Sequence, residues 1–218
     1  MIEAGSESTS STPLSCLKFM AANPATQDCA HAEISSVVAD TQFPKFGHRA
    51  SSPYISACVQ EALRLRPSTN NGSPHYTSAD VVYKDFVVPD GTVVSLNQYA
   101  PFSEPSLYAD PEQFCPECHV HGDESNEKSG SNHSKAAVGL ERCIWGAGRR
   151  ICPGMHLAEN TLFVILPSIL WAFYARPELN SDGTDMEVDV SDDAYEAGRV
   201  TVPRASKISC READVSKI

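Results

Sequence analysis

Apolar positions along this chain fall into blocks whose spacing changes from helical to strand-like and back. In SSPYISACVQEALRLRP, Ile55, Val59, Ala62 and Leu63 recur at helical spacing. Ser52 as N-cap, Pro53 at the first helical position and Pro67 as terminator punctuate a helix there. Earlier blocks predict a helix from Glu3 to Met20, bent at Pro13 and ending near Asn23-Pro24, and a second from Gln27 to Val38. A loop holding Phe43 to Gly47 follows. DVVYKDFVVPDGTVVSL carries β-branched runs on either side of Pro89-Asp90-Gly91, which predicts a hairpin turning on that triplet. The longest apolar run, Thr161 to Ala175, is shorter than a bilayer span and contains Pro167. It reads as part of a buried helix from about Pro153 to Tyr174. An acidic stretch, Asp182 to Glu196, precedes a short β-like end at Arg199 to Ser209. From His121 to Val138 the chain is polar and Gly/Ser-rich, the composition of an exposed insertion or flexible loop. No internal repeat is present.

With 218 residues and 41% hydrophobic content, the chain is long enough for one well-cored domain. The pattern makes it mainly α, with small β hairpins. A net charge of −11 argues against a nucleic-acid partner, because phosphate binding needs a basic surface. Any positive patch must be local. Eight cysteines without regular spacing, behind a polar start MIEAGSESTS that is not a secretory signal, point to a reducing compartment.

Two stretches carry candidate chemistry. FCPECHVHG, Phe114 to Gly122, contains Cys-x-x-Cys-His. That spacing suits covalent c-type haem attachment, a zinc site of Cys115, Cys118, His119 and His121, or an ordinary loop turning on Pro116-Glu117. WGAGRRICPGMHLAEN, Trp145 to Asn160, places Gly146 and Gly148 where the backbone can turn sharply beside a flat ligand. Arg149 and Arg150 add positive charge, and Cys152 stands just ahead of the helix. The partial positive charge and unpaired N–H groups of a helix start stabilise a sulfur anion, which suits a metal ligand. The competing reading is a buried structural cysteine.

Trp145-x-x-Gly148-x-Arg150-x-Cys152-x-Gly154 resembles the haem-binding signature of the cytochrome P-450 haem-thiolate monooxygenases, with Trp145 for the usual Phe. Glu61-Ala62-Leu63-Arg64 resembles the family's Glu-x-x-Arg, and Ala4 to Thr9 its oxygen-activation helix. Three short motifs in the family's order are far more specific than any one alone. The resemblance extends over nearly the whole chain and is closest to fungal members, whose setting is secondary metabolism. It implies heme b as cofactor, with Cys152 as axial thiolate to the iron. It further implies Arg150 and His75 as partners of the haem propionates, and Trp145, Gly148 and Gly154 as the cradle around the macrocycle. Glu7 and Ser8 match the acid–alcohol pair that relays protons, Ser8 keeping the hydroxyl of the usual Thr and losing its methyl. Glu61 and Arg64, spaced i,i+3, imply a buried ion pair holding the haem-side scaffold.

The implied activity is insertion of one oxygen atom of O2 into a small organic substrate, with electrons from an NADPH-dependent reductase. Lys135, Arg142, Arg149 and Arg150 would form a basic docking face for it. The alternative is a truncated, catalytically silent relative that at most binds haem. Met1 aligns within the family's long central helix, so the whole chain, 1–218, corresponds to a carboxy-terminal portion of the domain. A longer form would sit at the endoplasmic reticulum membrane. FCPECH falls where the family has Phe-x-Pro-x-Arg, which makes the c-type spelling accidental. Cys118 then replaces an arginine that completes the network of Glu61 and Arg64, and a neutral thiol cannot satisfy a buried carboxylate. His119 substitutes only if the loop shifts. Pro167 is expected to interrupt its helix at a cost of roughly 3 kcal/mol unless the helix kinks.

Overall fold

Helix α1, Ile2–Ala22, runs from an exposed first half into a second half that is buried almost all round. The computed structural model describes residues 2–38, 42–120, 141–198 and 200–212. The polar stretch from His121 to Val138 lies outside the described residues. Pro13 brings no N–H to the ladder of α1, and just before it the Ser11 and Thr12 hydroxyls both donate to the Ser8 carbonyl, at 3.1 and 3.4 Å. Helix α2, Pro24–Val37, starts on its proline, three residues earlier than its apolar spacing predicts.

Helix α3, Pro53–Leu65, forms where predicted, with Ile55, Ala62 and Leu63 buried. Its start is capped differently, however. Ser52 gives its hydroxyl to the His48 carbonyl at 3.1 Å, and the first N–H groups of α3 go to α2 instead. Tyr54 and Ile55 donate to the two carboxylate oxygens of Glu33 at 2.8 and 2.9 Å. A cap from a distant helix cannot be seen in local sequence. Phe19 and Met20 of α1, Ile34 of α2, and Ile55, Cys58 and Ala62 of α3 share one core with Phe163, Leu166 and Leu170 of helix α4, Met155–Ala172. Fully burying a side chain of this size contributes about 1.5–3 kcal/mol.

Helix α4 is not interrupted at Pro167, contrary to expectation; it continues to Ala172 with Pro167 buried. Leu166 and Leu170, on either side of the ring, are fully buried. Their packing offsets the lost hydrogen bond. Among the described residues α4 is the one helix long and apolar enough to cross a membrane, and its apolar side faces the core. The helix stops short of Tyr174 because strand β5 begins there.

All strand pairs are antiparallel. Strand β1, His75–Tyr76, and strands β2, Val81–Tyr83, and β3, Phe86–Val88, lead to β4, Val93–Val94. The hairpin turns at Lys84-Asp85, not at Pro89-Asp90-Gly91, since β2 pairs with β3 and β1 with β4. Lys84 takes the left-handed φ of 52° that a two-residue turn requires. Pro89 to Thr92 forms a second turn, tied back to Thr77, where the chain leaves the inner pair for the outer one. β5, Phe173–Pro177, pairs with a strand 35 residues further on, β8, Ile208–Glu212; between them β6, Tyr195–Ala197, pairs with β7, Thr201–Pro203. Gln27 of α2 fixes β5 from the side, its amide bonding both the N–H and the carbonyl of Ala175 at 2.8 and 2.9 Å.

Candidate functional site

The loop ahead of α4 is made of two 3-10 turns, Glu141–Trp145 and Gly148–Arg150, with glycines at the places where the backbone must leave the right-handed region. Gly146 has φ 86° and Gly148 φ 60°. The Cys152 N–H reaches back to the Trp145 carbonyl at 2.7 Å, closing the loop. Cys152 is a free, half-buried thiol just before the start of α4. A Cβ on Gly154 would lie 3.9 Å from its sulfur, an ordinary contact distance. The foot of the loop is held by Gln98, buried at 2% exposure, whose amide N–H groups bond the Cys143 and Ile144 carbonyls at 2.6 and 3.1 Å. Gln98 is in turn fixed by Thr69, whose hydroxyl donates to its carbonyl oxygen at 2.8 Å.

Arg150 and Arg149 are exposed on this loop, Trp145 is half-buried, and His75 is exposed on β1. Among the described residues neither the Arg150 nor the His75 side chain makes a hydrogen bond or ion pair. Arg142 is exposed as well, and Lys135 lies outside the described residues. Glu7 and Ser8 stand on the first half of α1, a different element, with Glu7 exposed and Ser8 half-buried. The Ser8 carbonyl also accepts the Ser68 hydroxyl at 3.3 Å, tying this part of α1 to the segment after α3.

Glu61 and Arg64 form a two-pronged ion pair inside α3, Nε to Oε2 at 2.7 Å and Nη2 to Oε1 at 2.8 Å, with Glu61 fully buried and Arg64 at 2% exposure. The rest of the guanidinium donates to the carbonyls of Phe102 and Pro111 at 2.8 Å each and of Gln113 at 3.1 Å, and lies over the Tyr108 ring. Arg64 thus gathers the whole segment between the hairpin and residue 114 onto α3. Burial alone would raise the Glu61 carboxyl; hydrogen bonds from Arg64 and His119 overcome it and hold the group below its usual range.

His119 supplies what the sequence left open. It lies in a 3-10 turn, Pro116–His119, and its Nε2 is 2.7 Å from Glu61 Oε2, both groups buried. Cys118 is no free thiol facing the carboxylate, because its sulfur is bonded to that of Cys115. The Cys115 N–H donates to Glu61 Oε1 at 2.9 Å. The cysteines and imidazole that spell Cys-x-x-Cys-His are therefore engaged with one another and with Glu61. In the sequence nothing distinguishes Gln98 and Glu33 from surface residues; the position of His119, one residue beyond the replaced arginine, is the one available signal.

Comparison with known proteins gives a consistent result. The family model described as Cytochrome P450 matches residues 1–188. The chain is 40% identical over 205 residues to cytochrome P450 monooxygenase pgmC of Aspergillus terreus, covering 94% of this chain and 38% of that protein. It is 32% identical over 208 residues to cytochrome P450 monooxygenase macC of Penicillium terrestre, covering 95% of this chain and 38% of the other. A zebra fish cytochrome P450 solved with progesterone superposes with a TM-score of 0.77 at 25% identity, over 97% of this chain and 44% of that one. The chain thus spans about two-fifths of the length of the curated relatives it matches.

Proposed function

The chain belongs to the cytochrome P450 family, and we propose that residues 1–218 form the haem-binding, carboxy-terminal part of a monooxygenase that transfers one oxygen atom of O2 to a small organic substrate. The observation that carries this reading is the free, half-buried Cys152 thiol, set between the closed glycine loop and the start of α4. The donor set fits heme b. Cys152 would hold the iron, Arg150 and His75, whose side chains have no partner among the described residues, would take the propionates, and Trp145, Gly148 and Gly154 would line the ring. Bound haem would supply O2 binding and cleavage of the O–O bond, with the thiolate ligand favouring that cleavage.

The chain's own residues do the rest. Gln98 and the Cys152 N–H bond fix where the sulfur stands, so that a ligand meets a preformed thiol rather than a mobile loop. Glu7 would hold a proton at its carboxylate and pass it on through the Ser8 Oγ. Glu61, Arg64 and His119 act as scaffold. Exposed Arg142 and Arg149 would dock an acidic reductase that carries electrons from NADPH.

The test is expression with haem supply, followed by the spectrum of the reduced carbon monoxide adduct. A thiolate-type Soret band that Cys152→Ala abolishes supports the proposal. No haem uptake by the unsubstituted chain, or uptake indifferent to Cys152→Ala, overturns it; uptake with no turnover after reductase is added restricts the chain to haem binding.

A further inference from the structure

The Phe114–His119 stretch plays no part in the chemistry proposed above. Its placement is nonetheless specific. The bond between Cys115 and Cys118 closes a small ring around Pro116 and Glu117, and both ends of that ring contact the Glu61 carboxylate. At one end the Cys115 N–H meets Oε1 at 2.9 Å; at the other, His119, next in sequence to Cys118, meets Oε2 at 2.7 Å. From within the ring, the Glu117 carboxylate accepts the Tyr54 hydroxyl of α3 at 2.5 Å. The two cysteines, Glu61 and Arg64 also line one void of about 10 Å³. The disulfide thus spans the two contacts through which this loop satisfies the carboxylate, Arg64 supplying the others.

We propose that Cys115 and Cys118 are a thiol–disulfide exchange site whose redox state decides whether His119 stays seated on Glu61. A buried carboxylate that loses a charge-capable donor keeps its desolvation cost without the compensation, so opening the ring loosens the scaffold. Cys115 is partly exposed and Cys118 is 7% exposed, which directs a dithiol reductant to the Cys115 sulfur. Its thiolate forms a mixed disulfide with Cys115 and expels the Cys118 sulfur, which takes up a proton. The reductant's second thiol then displaces Cys115. Two protein thiols and one cyclic disulfide of the reductant result, a transfer of two electrons and two protons. None of this depends on haem, so the inference stands or falls separately from the function proposed above.

Alkylation of the native 218-residue chain followed by peptide mass mapping reads the exchange directly. Without reductant, Cys115 and Cys118 should stay unmodified; after dithiothreitol, both should be alkylated. Reduction should lower the thermal midpoint by about 4 °C or more. Cys115→Ser/Cys118→Ser should show the lowered midpoint without reductant, and His119→Ala should show it with the disulfide intact; neither should respond further to dithiothreitol. In the unsubstituted chain, hydrogen exchange across residues 114–119 should rise at least about tenfold on reduction, a readout that needs no variant to fold. Alkylation of both cysteines before reduction overturns the proposal, as does reduction that leaves the midpoint and the exchange rates unchanged.

Discussion

Glu61 sets burial against hydrogen bonding in one side chain. It is fully buried, which penalises its charge, yet Arg64, His119 and the Cys115 N–H all donate to it. Replacing it with Gln leaves the guanidinium buried without its counter-charge. Glu61→Gln should therefore cost about 3–5 kcal/mol, measured as the shift in urea unfolding. Because the folded carboxyl titrates below its usual 4.5, the stability it contributes is complete above that value and is lost as pH falls through the lower folded one. His31 sets a different window. It is buried and stacked 3.8 Å from the Tyr174 ring, and burial, reinforced by Arg176 and opposed by Asp28, lowers it from 6.5 to about 4. The unfolded chain takes up that proton first. Stability should fall from pH 6.5 toward 4, and His31→Phe, which keeps the stacking, should flatten the slope in urea titrations at pH 7 and 5; an unchanged slope would remove His31 as its origin.

Among elements, α3 depends most on others for its ends. Its first N–H groups belong to Glu33 of α2, and its charged pair holds the segment up to Gln113. Glu33→Ala should lower stability by about 1–2 kcal/mol and raise hydrogen exchange at Tyr54 and Ile55 ahead of the helix interior. Much of the element level was legible in the sequence. The prolines at either end of α3 and the glycines of the cysteine loop express local preferences, and local rules recover them, though not the cap that Glu33 supplies. What local rules do not reach has distant causes. The apolar pattern extends α4 to Tyr174 because Phe173 and Tyr174 continue its run, while the strand that claims them begins at Ile208. Composition centres the hairpin on Pro89-Asp90-Gly91, although pairing register puts the tight turn at Lys84. At the candidate site the order of the motifs identified the Cys152 loop, but Gln98 and His119 act through contacts 45 and 58 residues away in sequence.

For the molecule as a whole, the four described helices share a core with Phe114, to which the hairpin region adds nothing. Val82, Tyr83, Phe86 and Val87 are 62–73% exposed, and Tyr76, Val93 and Val94 beside them are exposed too. An apolar area of that kind drives association. Sedimentation velocity should show concentration-dependent self-association, and Val82→Lys with Phe86→Lys should reduce it without changing helix content; association unaffected by the pair would locate its origin elsewhere. The C-terminal sheet is treated otherwise. By bonding both polar groups of Ala175, the Gln27 amide fills the place that a neighbouring strand would take beside β5. One glutamine side chain thus works as a molecular full stop, ending the sheet after two strands and denying the open rim to any passing chain.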